Sequence, residues 1–83
     1  MKAITTRYIP ASNTRGSRIV ATAEGGNRVT IPYPHELSGA DVHAEAAIAL
    51  CRKLSWHGDL IAGGTESGYV FVFAESDRYH IAA

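Results

Sequence analysis

The residue types that could catalyse a reaction are scattered along this chain, and their spacing matches no common reaction centre. His35 precedes Glu36, as in the zinc motif of metalloproteases, but that motif needs a second histidine where this chain has Gly39. The four histidines are far apart in sequence, and one cysteine cannot build a cysteine-rich zinc site. We therefore expect no metal and no cofactor.

The remaining candidates for chemistry are better interpreted as structural residues. Cys51 falls within a predicted helix, far from the N-terminal end at which a thiol pKa is lowered, so we interpret it as a packing residue. Asp41 and Glu45 lie one helical turn apart, where a buried pair would split its pKa values, but we expect both to be solvated. The glycine-bearing segments 12–18 and 62–68 lack the known phosphate-binding patterns. We predict that the chain is not an enzyme.

Charge is unevenly distributed along the 83 residues, although the net charge is zero. Residues 1–28 contain five basic residues and one acidic residue, whereas residues 29–83 contain three basic and seven acidic residues. The segment 12–18, SNTRGSR, contributes Arg15 and Arg18 and no acid. Arginine forks of this kind bind carboxylates or phosphates, unless they pair with acids of the same chain or serve only solubility.

The pattern of apolar residues predicts an α+β fold with the element order β-β-β-α-β-β. Ser38 is expected to cap a helix over residues 40–56 that ends at His57-Gly58, and four to five short strands are expected to form an antiparallel sheet. Pro10 suggests an edge position for the first strand, and Pro32 suggests an edge or a break on its side of the third. The strands are predicted over residues 2–9, 17–23, 28–33, 60–62 and 68–75, with a hairpin turn at 24–27.

Length and composition place these elements in a single domain over residues 1–83. No segment has the run of about 18 apolar residues that a membrane span needs. The first ten residues lack the apolar core of a signal peptide, so we expect a cytoplasmic protein.

A single helix can cover only one face of the predicted sheet. Either Tyr69, Phe71 and Phe73 pack under the helix and Val20, Val70 and Val72 face outward, or the reverse holds. Both arrangements leave a partly apolar second face. Exposed apolar surface of this kind usually marks a contact. The first strand, the C-terminal tail or a second copy of the chain could cover it, so a homodimer is one alternative.

Nucleic-acid binding is a second alternative. Arginines of the N-terminal half near aromatic strands would suit a cationic groove with stacking platforms. Residues 68–72, GYVFV, partly resemble the aromatic strand of RNA-recognition-motif domains. The resemblance fails at Ser67, Val70 and Ala74, where that family has a basic residue, a small residue and an aromatic residue, and the family has two helices.

A longer resemblance suggests a protein partner. The segments ITTRYIPASNTRGSRIVA, GNRVTIPYPHELS and ALCRKLSWHGDLIAGGTESGYVFVF resemble small proteins of proteobacterial plasmids, integrative elements and phages. Such elements also encode small inhibitors, including anti-CRISPR proteins. The resemblance therefore implies a protein-interaction module that acts in the bacterial host cell. Its expected role is to occlude a site on a host defence complex such as CRISPR-Cas. Carboxylates would then act as phosphate mimics around an apolar anchor, or arginines would clamp acidic groups. The predicted partner-binding residues are Arg15, Arg18, Arg28, Asp41, Glu45 and Ile48.

Overall fold

A five-stranded antiparallel sheet with one helix on one face forms the described part of the chain, which confirms the predicted α+β class and element order. The structure is a computed structural model and describes residues 3–74. The elements are β1 (Ala3–Ile9), β2 (Arg18–Ala23), β3 (Arg28–Pro32), α1 (Ala40–Leu54), β4 (Leu60–Gly64) and β5 (Gly68–Phe73).

The strands lie in the order β3-β2-β1-β5-β4, which places β1 in the middle of the sheet. The prediction that β1 is an edge strand was therefore wrong. Pro10 lies just beyond Ile9, the last residue of β1, so the missing N–H of the proline interrupts neither ladder, and β1 pairs with β2 on one side and β5 on the other. The predicted edge position of β3, which ends at Pro32, is confirmed, and β5 lies between β1 and β4.

Strands β2 and β3 form the predicted hairpin. A short 3-10 turn over Glu24–Gly26 connects them, with φ values of 76° at Gly25 and 77° at Gly26 that suit glycine. The side-chain amide of Asn27 donates a hydrogen bond of 3.0 Å to the carbonyl oxygen of Glu24 and so stabilises the turn.

Helix α1 differs from its prediction at both ends. Gly39 occupies the N-cap position, and no side chain caps the helix, so the predicted role of Ser38 was wrong. The helix ends at Leu54, two residues earlier than expected, because Ser55 adopts a left-handed conformation with φ 57°. The N–H groups of Ser55 and Trp56 then donate hydrogen bonds to the carbonyl oxygens of Arg52 and Cys51. The helix therefore ends before His57-Gly58, where its end was expected.

The core lies between α1 and the sheet. Tyr69, Phe71 and Phe73 face the helix, as the alternation of β5 allowed. Thr6 is fully buried in this layer, and its hydroxyl contacts two polar groups described below. The buried apolar residues of the layer are Ile4, Ile19, Ala21, Ala23, Val42, Ala46, Ala47, Leu50, Cys51 and Phe71. Cys51 is thus a packing residue, as expected.

Among residues 3–74, no helix has the length and apolar character that a membrane crossing requires. The C-terminal tail, residues 76–83, is one of the expected covers for the sheet and lies outside the described residues.

Candidate interaction surfaces

The side of the sheet opposite α1 is the first candidate surface, and we call it the uncovered face. Strand alternation and the pairing register determine its members, and residues 3–74 contain no second α-helix that could pack on it. Its side chains are those of Ala3, Thr5, Arg7, Ile9, Arg18, Val20, Thr22, Arg28, Thr30, Pro32, Ile61, Val70 and Val72.

Three arginines of the uncovered face surround Val20. Arg7 pairs directly with Val20 across β1 and β2, Arg18 lies two residues away on the same strand, and Arg28 is a diagonal neighbour on β3. Val20 is only 2% exposed, although no helix lies over it. We infer that the aliphatic stems of the neighbouring long side chains cover it. Arg7 and Arg28 are exposed, whereas Arg18 is partly buried.

Arg18 has an unsatisfied donor. Its cross-strand partners are Ile9 and Pro32, and neither side chain offers an acceptor. Its Nε is buried and has no hydrogen-bond partner among the described residues. A buried donor without a partner is energetically costly. Either the packing of the Arg18 side chain offsets this cost, or an acceptor from outside the described residues binds the Nε.

The loop that precedes β2 brings Arg15 next to Arg18. Both residues line a hollow of about 430 Å³, together with Thr30 and Pro32 of β3. Ser12 orders the loop, because its Oγ accepts a hydrogen bond of 3.2 Å from the N–H of Arg15 and its own N–H donates one of 2.8 Å to the Arg15 carbonyl. The two cations of SNTRGSR therefore meet at one edge of the uncovered face.

A second hollow, of about 540 Å³, lies beside the first on the same face. Arg7 and Val20 line it with Thr5 and Thr22, and Glu24 is the only carboxylate among its lining residues. The aromatic side chains of β5 lie on the helix side instead. The uncovered face thus combines guanidinium groups, threonine hydroxyls and valines, a composition that suits carboxylates set in an apolar surface.

The helix carries the second candidate surface. Asp41, Glu45 and Ile48 are exposed on α1, and Ile48 is 38% exposed. Asp41 and Ile48 line a groove of about 360 Å³ between α1 and β4, and Asp59 lines it as well. Carboxylates therefore flank an apolar side chain here, as the phosphate-mimic hypothesis requires.

The six predicted partner-binding residues consequently divide into two groups on opposite sides of the sheet. Arg15, Arg18 and Arg28 belong to the uncovered face and its edge, whereas Asp41, Glu45 and Ile48 belong to the helix. One flat partner surface cannot contact both groups. The predicted set omitted Arg7. The alternation of residues 3–9 places Arg7 on the same face as Arg18, but only when the pairing of β1 with β2 is known.

No group of three or more potential metal-ligating side chains occurs within residues 3–74. Comparisons with protein-family models, with curated proteins and with solved structures find no match for this chain. The two surfaces are therefore the basis on which function must be argued.

Proposed function

We propose that this chain is a protein-interaction module without catalytic activity, and that its uncovered face docks on an acidic protein surface. The observation that carries the proposal is the cluster of Arg7, Arg18 and Arg28 around Val20 on a sheet face that α1 leaves open. Arginine is enriched in protein interfaces, and its fork binds a carboxylate through two parallel hydrogen bonds.

A protein partner suits this face better than nucleic acid does. Proteins that bind single strands need exposed aromatic rings, but Tyr69, Phe71 and Phe73 pack towards the helix. The uncovered face offers valines in place of rings, and these would be desolvated by an apolar patch of a protein partner. A zero net charge also gives the whole chain no general attraction to polyanions.

A homodimer formed through this face is disfavoured by its charge. A two-fold axis would bring the same patch of both copies together, so the arginines of one copy would oppose those of the other. Among the carboxylates of residues 3–74, only Glu24 lines either hollow of this face. One acid cannot neutralise the facing cations.

The sharpest form of the proposal is an anti-CRISPR-type inhibitor that occludes a site on a host defence complex in the bacterial cytoplasm. Its support is the sequence resemblance to proteins of mobile elements, together with the two charged surfaces. In this form the acids around Ile48 offer a second contact that could imitate phosphates. Expression of the chain should raise the plating efficiency of a targeted phage on a CRISPR-protected strain. Unchanged protection across several system types would leave the general interaction module without this specific role.

The general proposal is tested by affinity capture from a proteobacterial lysate, with and without nuclease. We expect the same protein to be retained after nuclease treatment. Loss of capture with nuclease, together with a steep dependence on salt concentration, would instead support the nucleic-acid alternative.

A further inference from the structure

A cleft on the helix side of the sheet adjoins the hollow of Arg15 and Arg18 at Ser17, which lines both. Aromatic side chains line most of it, and the start of α1 closes one end through Gly39 and Val42. We call it the aromatic cleft and define it by Tyr8, Tyr33, His35, His43 and Tyr69. Its volume of about 470 Å³ is within the range of small-molecule sites.

The rings of the aromatic cleft are ordered by contacts with one another. Tyr8 and Tyr33 meet edge to face at 5.7 Å between ring centroids, and Tyr33 contacts His35 at 5.1 Å. His43 lies against Tyr69 at 4.7 Å. Five rings from the sheet, from the segment between β3 and α1, and from the helix therefore surround one space. Flat aromatic groups pack well against such surfaces.

The hydrogen-bonding contacts of Thr6 bear on which nitrogen of His43 carries a proton. The buried Thr6 hydroxyl lies 2.8 Å from Nδ1 of His43 and donates a hydrogen bond of 3.3 Å to the carbonyl oxygen of Tyr69. A hydroxyl has one proton, so if Thr6 donates to the carbonyl, Nδ1–H of His43 must donate to Thr6. Nε2 of His43 is then unprotonated and is an acceptor.

The residues that line the cleft around His43 include no carboxylate, lysine or arginine. They are Tyr8 from β1, Tyr69 from β5, Gly39 and Val42 at the start of α1, Ser17 just before β2, and Tyr33 and His35 from the segment between β3 and α1. Burial lowers the pKa of His43 below its usual value of 6.5, which favours the neutral imidazole near pH 7. An ionic ligand would find no carboxylate, lysine or arginine in the lining.

We infer that the aromatic cleft binds a planar, uncharged aromatic ligand whose N–H or O–H group donates a hydrogen bond to Nε2 of His43. Stacking against the tyrosine rings supplies the contact area, and the imidazole acceptor orients the ligand. The site does not depend on the proposed partner of the uncovered face.

A pair of matched probes tests the inference on the unaltered chain. Indole has an N–H donor, whereas 1-methylindole has the same flat ring system without it. Titration of ¹⁵N-labelled protein should give saturable NMR shifts at the cleft residues, with indole binding about three- to tenfold more tightly than 1-methylindole, the worth of one hydrogen bond. A two-bond ¹H–¹⁵N spectrum should show the proton of His43 on Nδ1. Equal affinities, shifts centred elsewhere, or no saturation up to the solubility limit would overturn the inference.

A variant then assigns the acceptor. His43→Phe keeps a ring but removes Nε2, so the preference for indole over 1-methylindole should disappear. His57→Phe is the matched control, because His57 is exposed and does not line the cleft, and the preference should remain. A preference for indole that persists in His43→Phe would contradict the assigned role. If His43→Phe fails to fold, the probe pair on the unaltered chain still decides the question.

Discussion

Replacement of Thr6 by valine tests the buried polar contact that joins the sheet to the helix. Valine has nearly the shape of threonine but no hydroxyl, so the change removes the bond to the Tyr69 carbonyl and the contact with His43. Each such bond contributes about 0.5–1.5 kcal/mol net. We expect Thr6→Val to lower the free energy of unfolding by about 2 kcal/mol, or Tm by about 8–16 °C for a domain of this size.

Urea unfolding followed by fluorescence measures this loss. Trp56 is the chain's one tryptophan and packs against Phe73 at 6.1 Å, so its emission reports the packing between the region after α1 and the sheet. Thr6→Ser is the control, because it keeps the hydroxyl and loses one methyl group, at a cost of about 0.8 kcal/mol.

A double-mutant cycle separates the contact from simple loss of polarity. Thr6→Val combined with His43→Phe replaces both partners by apolar groups, so no buried donor is left without an acceptor. We expect the double variant to be about 1 kcal/mol more stable than the sum of the single losses predicts. A loss below about 0.3 kcal/mol for Thr6→Val, or strict additivity, would refute the assigned hydrogen bonds, since contacting partners normally couple by more than that.

Three further predictions concern other parts of the chain. Gly68→Ala should destabilise the fold by about 2 kcal/mol or more, because a Cβ at Gly68 would overlap the carbonyl group of Thr6. Gly64→Ala is the control: a Cβ at Gly64 would contact no other residue, so Tm in thermal unfolding should change little. The contribution of His43 to the free energy of unfolding should be largest above pH 6.5 and should fall as the pH drops from there towards the lowered pKa of His43 in the folded state, because the unfolded chain binds that proton more tightly. In urea titrations at several pH values, His43→Phe should lose this part of the pH dependence. Ile48→Ser should lower Tm by about 4–8 °C in calorimetry, because Ile48 is 38% exposed and the loss of its partly buried side chain costs about 1 kcal/mol; a fall above about 16 °C would mean that this side chain belongs to the core.

The fold could be predicted in large part because its signals are local. Apolar residues at helical spacing predicted α1, and the two glycines before Asn27 predicted the hairpin. The position of β1 could not be read from Pro10, because strand order depends on which segments pair at long range and not on a residue beyond the strand end.

The candidate sites were less accessible to sequence reasoning. The sharing of one face by Arg18 and Arg28 follows from hairpin alternation, but the addition of Arg7 requires the pairing of β1 with β2. The contact between Thr6 and His43 joins residues 37 positions apart, and no periodicity of either segment indicates it. A threonine in a strand looks like a solvent-facing residue until its hydroxyl is seen to have buried partners.

The central claim is that the uncovered face is the surface that binds a partner. Its most direct test is the affinity of a captured protein for the chain with Arg7→Glu, compared with a control that carries Arg52→Glu on the helix, after circular dichroism has shown that both variants are folded. Loss of one charge-assisted contact of about 1.5–3 kcal/mol predicts at least about tenfold weaker binding for the first variant and near-parental binding for the control. Equal binding by the two variants would contradict the claim, and selective loss in the control would assign the contact to the helix instead.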